Sequence, residues 1–178
     1  MQKITLIATI GLFILTQSQN MKPVDEGSAV KFRIKNFGGT VIGSFKGLNG
    51  TMHFNPADLS SASFDVTVDV NTINTGINMR NNDLKEEKYF DVKNFPKIRL
   101  VSSKITKAKD GVNSFEFTGE LTIKGTKKTI QFPFTTSQAN GGTMFKAEFP
   151  LNRRDFNVGG SSISLSDNLT VSLAVLGK

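Results

Sequence analysis

The sequence offers few side chains for chemistry. It holds one histidine, His53, and no cysteine, so a Cys–His nucleophile is excluded and an ordinary zinc site has too few ligands to be built. His53 lies between Met52 and Phe54 in a strand-like stretch, where a lone imidazole reads as structural or exposed. Two carboxylate pairs, Asp65 with Asp69 and Glu116 with Glu120, recur at even spacing. On a strand that spacing puts both members on one face, here the face opposite Phe64 and Val66 or Phe115 and Phe117. They point to water, away from any acid–base or calcium site. Gly159-Gly160-Ser161-Ser162 lacks a phosphate-loop lysine and reads as a flexible connection. What remains is a set of arginines, Arg80 and the adjacent Arg153 and Arg154, whose guanidinium groups suit phosphate oxygens.

The elements that must position these residues are strands. Val30, Phe32 and Ile34 alternate strictly with Lys31, Arg33 and Lys35, which predicts a half-buried strand with a cationic outer face. The same period runs through Phe64–Val70, Phe115–Ile123, Ile130–Phe134, Phe145–Leu151 and Leu169–Val175. Val41–Phe54, bent at Gly47 or Gly50, and Ile98–Ile105 bring the total to eight. Gly38-Gly39, Pro56 to Ser61, Asp110-Gly111, Lys124-Gly125-Thr126 and Asn140-Gly141-Gly142 mark short turns, hence antiparallel neighbours. Eight one-sided strands hide their apolar faces in a sandwich or a closed barrel, and periodicity does not choose between them.

One segment breaks the alternation. From Asn78 to Pro96 the pattern becomes helical, and Asp83 with Glu86 three residues later has the form of a capping box. Leu84, Tyr89 and Phe90 give that helix an apolar side, and Pro96 closes the excursion. The segment is expected to cap one end of the β body, between the third and fourth strands. Upstream, Met1–Ser18 reads as a signal peptide: Lys3, an apolar run from Ile4 to Leu15, then Thr16-Gln17-Ser18 as a small-x-small cleavage pattern. The expectation is therefore a leader over 1–18 and one domain over 19–178, periplasmic or secreted. Fifteen Phe against one Tyr and no Trp describe an aromatic interior almost without polar handles. The net charge of +7 favours anionic partners, but export and the scatter of the cations argue against nucleic acid.

A further set of residues stands in a particular order: Ser28-x-Val30-x-Phe32-x-Ile34, Gly43-x-Phe45 with Gly50, Phe54-Asn55-Pro56, Met79-Arg80 to Leu84, Tyr89-Phe90-Asp91 with Phe95-Pro96, Gly119-x-Leu121-Thr122-Ile123-Lys124-Gly125 and Asn152-Arg153-Arg154-Asp155-Phe156. In that order and spacing the chain resembles the YceI-like family of exported lipid-binding proteins. The resemblance implies an all-β, lipocalin-like extended eight-stranded antiparallel barrel. It also implies a non-enzymatic role, holding a polyisoprenoid, isoprenoid quinone or similar amphiphile for transport, storage or envelope stress response. Where many members resemble Arg-x-x-His-Leu, this chain has Arg80-Asn81-Asn82-Asp83-Leu84, so a histidine role at the head group is not carried over.

The expected apolar lining is Phe32, Phe45, Phe54, Phe64, Leu100, Phe117, Leu121, Phe132, Phe134, Phe145, Phe149 and Leu173, with Arg80, Arg153 and Arg154 as a polar rim. Gly43, Gly119 and Ala147 share inward rows with phenylalanines, an arrangement expected to leave room. About twenty buried chain carbons at roughly 0.8 kcal/mol each contribute near 16 kcal/mol gross, against association costs of about 4 to 15 kcal/mol. The tail therefore sets affinity, and a charged rim sets orientation. An ion pair between Arg153 and Asp155 is the structural alternative for that arginine. No cofactor or metal is expected; partners are a long-chain lipid or isoprenoid and an anionic membrane surface, with the chain a monomer or homodimer. The alternative function is a ligand-free envelope interaction protein using a basic outer face that includes Lys31, Arg33, Lys35, Lys124, Lys127 and Lys128.

Overall fold

The computed structural model describes residues 19–178, and the expected leader lies outside them. The strands are β1 (Gln19–Met21), β2 (Pro23–Asn36), β3 (Gly39–Phe54), β4 (Ser63–Asn74), β5 (Lys97–Lys107), β6 (Ser114–Ile123), β7 (Thr126–Ala139), β8 (Gly142–Asn152) and β9 (Leu165–Gly177), with one helix, α1 (Asn78–Lys85), and a 3-10 turn over Arg153–Phe156. All pairings are antiparallel. Each strand from β3 to β9 pairs with the next, and β9 pairs with β2, which returns to β3. The expected eight-stranded barrel is thus closed, with no free edge except where the short β1 lies against the end of β3.

Closure over a sandwich is decided in β3. This strand pairs with β2 over Gly39–Phe45 and with β4 from Ser44 onward, so it must curve through the wall. A bend is expected at Gly47 or Gly50, and both contribute: Gly47 (φ 74°) and Gly50 (φ 124°) occupy backbone regions that side chains rarely adopt, and the β3–β4 register slips at the first of them. At Gly50 a Cβ would lie 2.0 Å from the Asp65 carbonyl oxygen, so the glycine also lets the strands approach.

The interior is divided along the barrel axis. At the end carrying β1, the β3–β4 connection and the C-terminus, Phe54, Phe64, Phe115, Phe117, Phe132, Phe134 and Phe145 pack with Met21, Met52, Ile105 and Phe149 into a solid cluster. Its rings meet edge to face, as Phe54 does Phe115 (5.0 Å, 90°), or stacked, as in Phe117–Phe132 (4.7 Å) and Phe132–Phe149 (4.1 Å). We call this the plugged end. The opposite end is covered by loops: the β2–β3 turn, α1 with the chain to Pro96, the β6–β7 turn, and residues 153–164.

The capping-box reading of α1 is corrected by the structure. The helix begins at Asn78, after Ile77, and Asp83 lies in its last turn, where its carbonyl accepts from the Glu86 N–H. What fixes the start is Asn81, whose side-chain oxygen accepts from both the N–H and the hydroxyl of Thr75 (2.8 and 2.7 Å). Tyr89 and Phe90 follow the helix in turns rather than extending it.

Candidate functional site

Between the aromatic plug and the loop-covered end lies a cavity of about 210 Å³. The strands supply its walls with medium-sized aliphatic side chains: Val30 and Ile34 from β2, Val66 and Val68 from β4, Ile98 and Leu100 from β5, Leu121 and Ile123 from β6, Val171, Leu173 and Val175 from β9. Phe149 forms part of the boundary with the plug, while Leu84, Tyr89, Phe90, Phe156 and Val158 close it from the loop side. The lining is almost wholly apolar. A small group of polar residues borders it, chiefly Thr75, Arg80, Asn152 and Arg153 at the loop end.

The expected lining residues divide in two. Phe32, Phe45, Leu100, Leu121, Phe149 and Leu173 face the cavity. Phe54, Phe64, Phe117, Phe132, Phe134 and Phe145 do not; they form the plug, with each ring 7% exposed or less. The small residues play the opposite part to the one expected. The Phe32 ring lies over Gly43, 2.1 Å from where a Cβ would be, and Gly119 is filled by the Phe117 ring and the Val101 carbonyl. Glycine seats a ring here instead of leaving space. The space comes from a change of residue type along the strands, from Phe toward the plugged end to Val, Leu and Ile toward the loops, which widens the interior without opening the wall.

The three arginines also separate. Arg153 is 5% exposed. Its Nε–H donates to the Ser166 carbonyl (3.0 Å), Nη1 donates to those of Val158 and Gly160 (2.8 and 3.0 Å), and Nη2 donates to Leu165 O and Asp167 Oδ1 (3.4 and 2.6 Å). All five N–H groups are thereby used. Its acid partner is Asp167 rather than Asp155, and its work is to hold the 157–167 loop against the barrel. Arg154 is exposed and does not line the cavity. Arg80 does line it: Nε donates to Thr75 Oγ1 (2.8 Å) and Nη2 to Thr75 O (2.7 Å). Two of its five N–H groups are thus committed, and the remaining three have no acceptor among the described residues. Asp83, at the position where relatives resemble histidine, is exposed and outside the lining, so that difference does not touch the cavity.

The carboxylate pairs stay on the outer face. Asp65 accepts a two-point bond from Arg99 (2.8 and 2.6 Å), which holds its carboxyl below the usual range, and Glu120 pairs with Lys127 (2.9 Å). The His53 Nδ1 lies 2.7 Å from Asn20 Oδ1. No cluster of His, Cys, Asp and Glu suited to a metal occurs among the described residues.

With this geometry in view, comparison with known proteins is specific. A model of the YceI-like domain matches residues 22–176. The chain belongs to the YceI-like family. It is similar to Protein YceI of Salmonella arizonae, 27% identical over 140 residues that cover 72% of this chain and 70% of that protein. Among solved structures it resembles BcnA of Burkholderia cenocepacia, with TM-score 0.80 and 29% identity over 86% of this chain and 98% of that one. The same YceI-like barrel recurs, at 12% identity and TM-score 0.69, in a polyisoprenoid binding domain from Saccharophagus degradans, covering 91% of this chain and 99% of that domain.

Proposed function

We infer that this YceI-like protein is a non-enzymatic lipid carrier or store that holds one long-chain apolar ligand inside the barrel. The single observation that carries the reading is the cavity of about 210 Å³, lined almost wholly by hydrocarbon and bordered by an arginine with uncommitted donors. At about 30 Å³ for each water or methylene the cavity holds about seven chain atoms. Burying them at about 0.8 kcal/mol each contributes roughly 6 kcal/mol gross, within the range of association costs of about 4–15 kcal/mol. That length corresponds to about one or two five-carbon isoprene units, and a longer tail would have to pass the loops or displace the plug. The polyisoprenoid binding described for the Saccharophagus degradans domain supports this ligand class.

Arg80 is the head-group residue. A phosphate or quinone carbonyl at the loop end accepts from its remaining N–H groups while Thr75 holds the guanidinium in place. The tail dominates affinity and Arg80 fixes which end enters first. The apolar run at 4–15 with its small-x-small sequel supports export to the periplasm or beyond. The test of function is native mass spectrometry of the purified protein before and after organic extraction, followed by titration with prenyl chains of graded length. Binding should strengthen with each unit up to about two and then level off. Protein that co-purifies with no apolar ligand and takes up none would reject the reading.

A further inference from the structure

The barrel's exposed apolar side chains are unevenly placed. Among the described residues Phe37, Ile42, Ile77, Met79, Val112 and Ile163 are large, apolar and exposed. Phe37, Ile77, Met79 and Ile163 all stand on connections at the loop-covered end, and Ile42 is paired with Arg33 four residues from the tip. Only Val112 belongs to the plugged end. Phe37 and Ile163 belong to one unit, because the Phe37 N–H donates to the carbonyl of Ser164 (2.9 Å).

Phe37 is unfavourable to folding twice over. It is 85% exposed, and its backbone is left-handed at φ 49°. With Gly38 at φ 74° it forms a two-residue hairpin turn with both central residues at positive φ, a conformation that favours Asn-Gly. The plugged end has that solution: Asn140-Gly141 turns β7 into β8 at φ 49° and 73°. A large apolar ring kept where asparagine would fit better, and kept in water, points outward to a partner.

The charge around it says which. Lys31, Arg33 and Lys35 run along the outer face of β2 toward Phe37, all exposed. Their one ion pair among the described residues is Arg33 with Glu148, at 3.6 Å. Five exposed side chains at this end, spread over three connections and one strand, present little of the more than about 1,000 Å² that a stable protein partner asks for, whereas single apolar side chains beside cations suit a lipid head-group layer. We propose that the loop-covered end docks on an anionic lipid bilayer, with Phe37 and Ile163 entering the head-group layer and Arg33 and Lys35 meeting its phosphates. The cavity then faces the membrane from which its ligand is drawn. That purpose rests on the lipid-carrier reading; docking itself does not.

The test is flotation of the full chain with phosphatidylcholine vesicles, with and without phosphatidylglycerol, with cavity content followed separately by native mass spectrometry. Wild type should float with the anionic vesicles and release as salt rises. Phe37→Asn should weaken binding by about tenfold or more with an equal or higher melting temperature and unchanged cavity content. Arg33→Gln with Lys35→Gln should weaken it roughly thirtyfold on anionic vesicles alone. Val112→Asn, at the other end, should change nothing. Wild type that stays with the aqueous phase, or Phe37→Asn that floats like wild type, overturns the proposal. So does self-association that Phe37→Asn abolishes without any vesicle binding, which would make the partner a second copy. An empty cavity beside normal flotation would reject the carrier reading and leave docking intact.

Discussion

Leu100 and Leu173 stand on β5 and β9 and face the cavity, so replacing either one with tryptophan distinguishes a hollow barrel from a packed one. Each change adds about six non-hydrogen atoms, which occupy most of the roughly seven atom-sized positions available. In a filled core such insertion costs about 1–3 kcal/mol per site, which in a domain this size lowers Tm by about 2–4 °C for each kcal/mol. In a hollow core the rings fill space, and stability holds or rises. The ligand bears the loss instead: about six displaced chain carbons at about 0.8 kcal/mol each remove near 5 kcal/mol of gross binding, between about three and four orders of magnitude in Kd. Differential scanning calorimetry and native mass spectrometry on the same preparations read both sides. A fall in Tm of several degrees with ligand content unchanged would refute the reasoning.

The two seated glycines respond differently to a methyl group. Gly119→Ala drives a Cβ to 2.2 Å from the Val101 carbonyl oxygen, against backbone that cannot yield, and should cost about 3 kcal/mol or more in chemical denaturation. Gly43→Ala meets only the far end of the Phe32 ring; that ring can swing into the cavity, so stability should fall by less than about 1 kcal/mol while ligand capacity shrinks. Arg153→Ala leaves four carbonyls and Asp167 without their donor and should destabilise by about 3 kcal/mol; Arg153→Lys should not restore it, because one ammonium cannot span those acceptors. Asp65, held below its usual pKa first by the Arg99 hydrogen bond, adds stability at neutral pH that is lost as pH falls through its depressed native value. Urea melts of wild type and Asp65→Asn should therefore differ at pH 7 and converge in acid; a gap that persists in strong acid would contradict the assignment.

The barrel was legible because alternation is a strong signal wherever one face is buried, and every expected strand is present. Closure could be read only from Gly47 and Gly50, whose bends allow β3 to serve two partners. The cavity is harder to read, because residue type points to phenylalanine as its lining while position along the strand decides. Phe54 ends β3, Phe64 opens β4, Phe115 and Phe117 open β6, and Phe145 comes early in β8. In an antiparallel barrel those are all one end, so the plug was present in the sequence, and the aliphatic half-strands above it, with Val30, Val66, Val68 and Val171, marked the hollow. The arginines could not be sorted by type. Whether a guanidinium is spent on carbonyls, as in Arg153, or keeps donors toward a ligand, as in Arg80, depends on loop geometry that spacing does not encode. The spacing of Asp83 and Glu86 imitated a capping box, but a cap forms only where the backbone enters a helix, and Asn81 bonding Thr75 had already set that entry earlier.

The most direct test of the hollow barrel is the mass of the intact protein sprayed under native conditions from a membrane-containing host. A carrier should appear as apoprotein plus one apolar ligand, a species removed by organic solvent and absent from the Leu100→Trp variant. A single bare mass for wild type, unchanged after incubation with prenyl chains, would contradict the account.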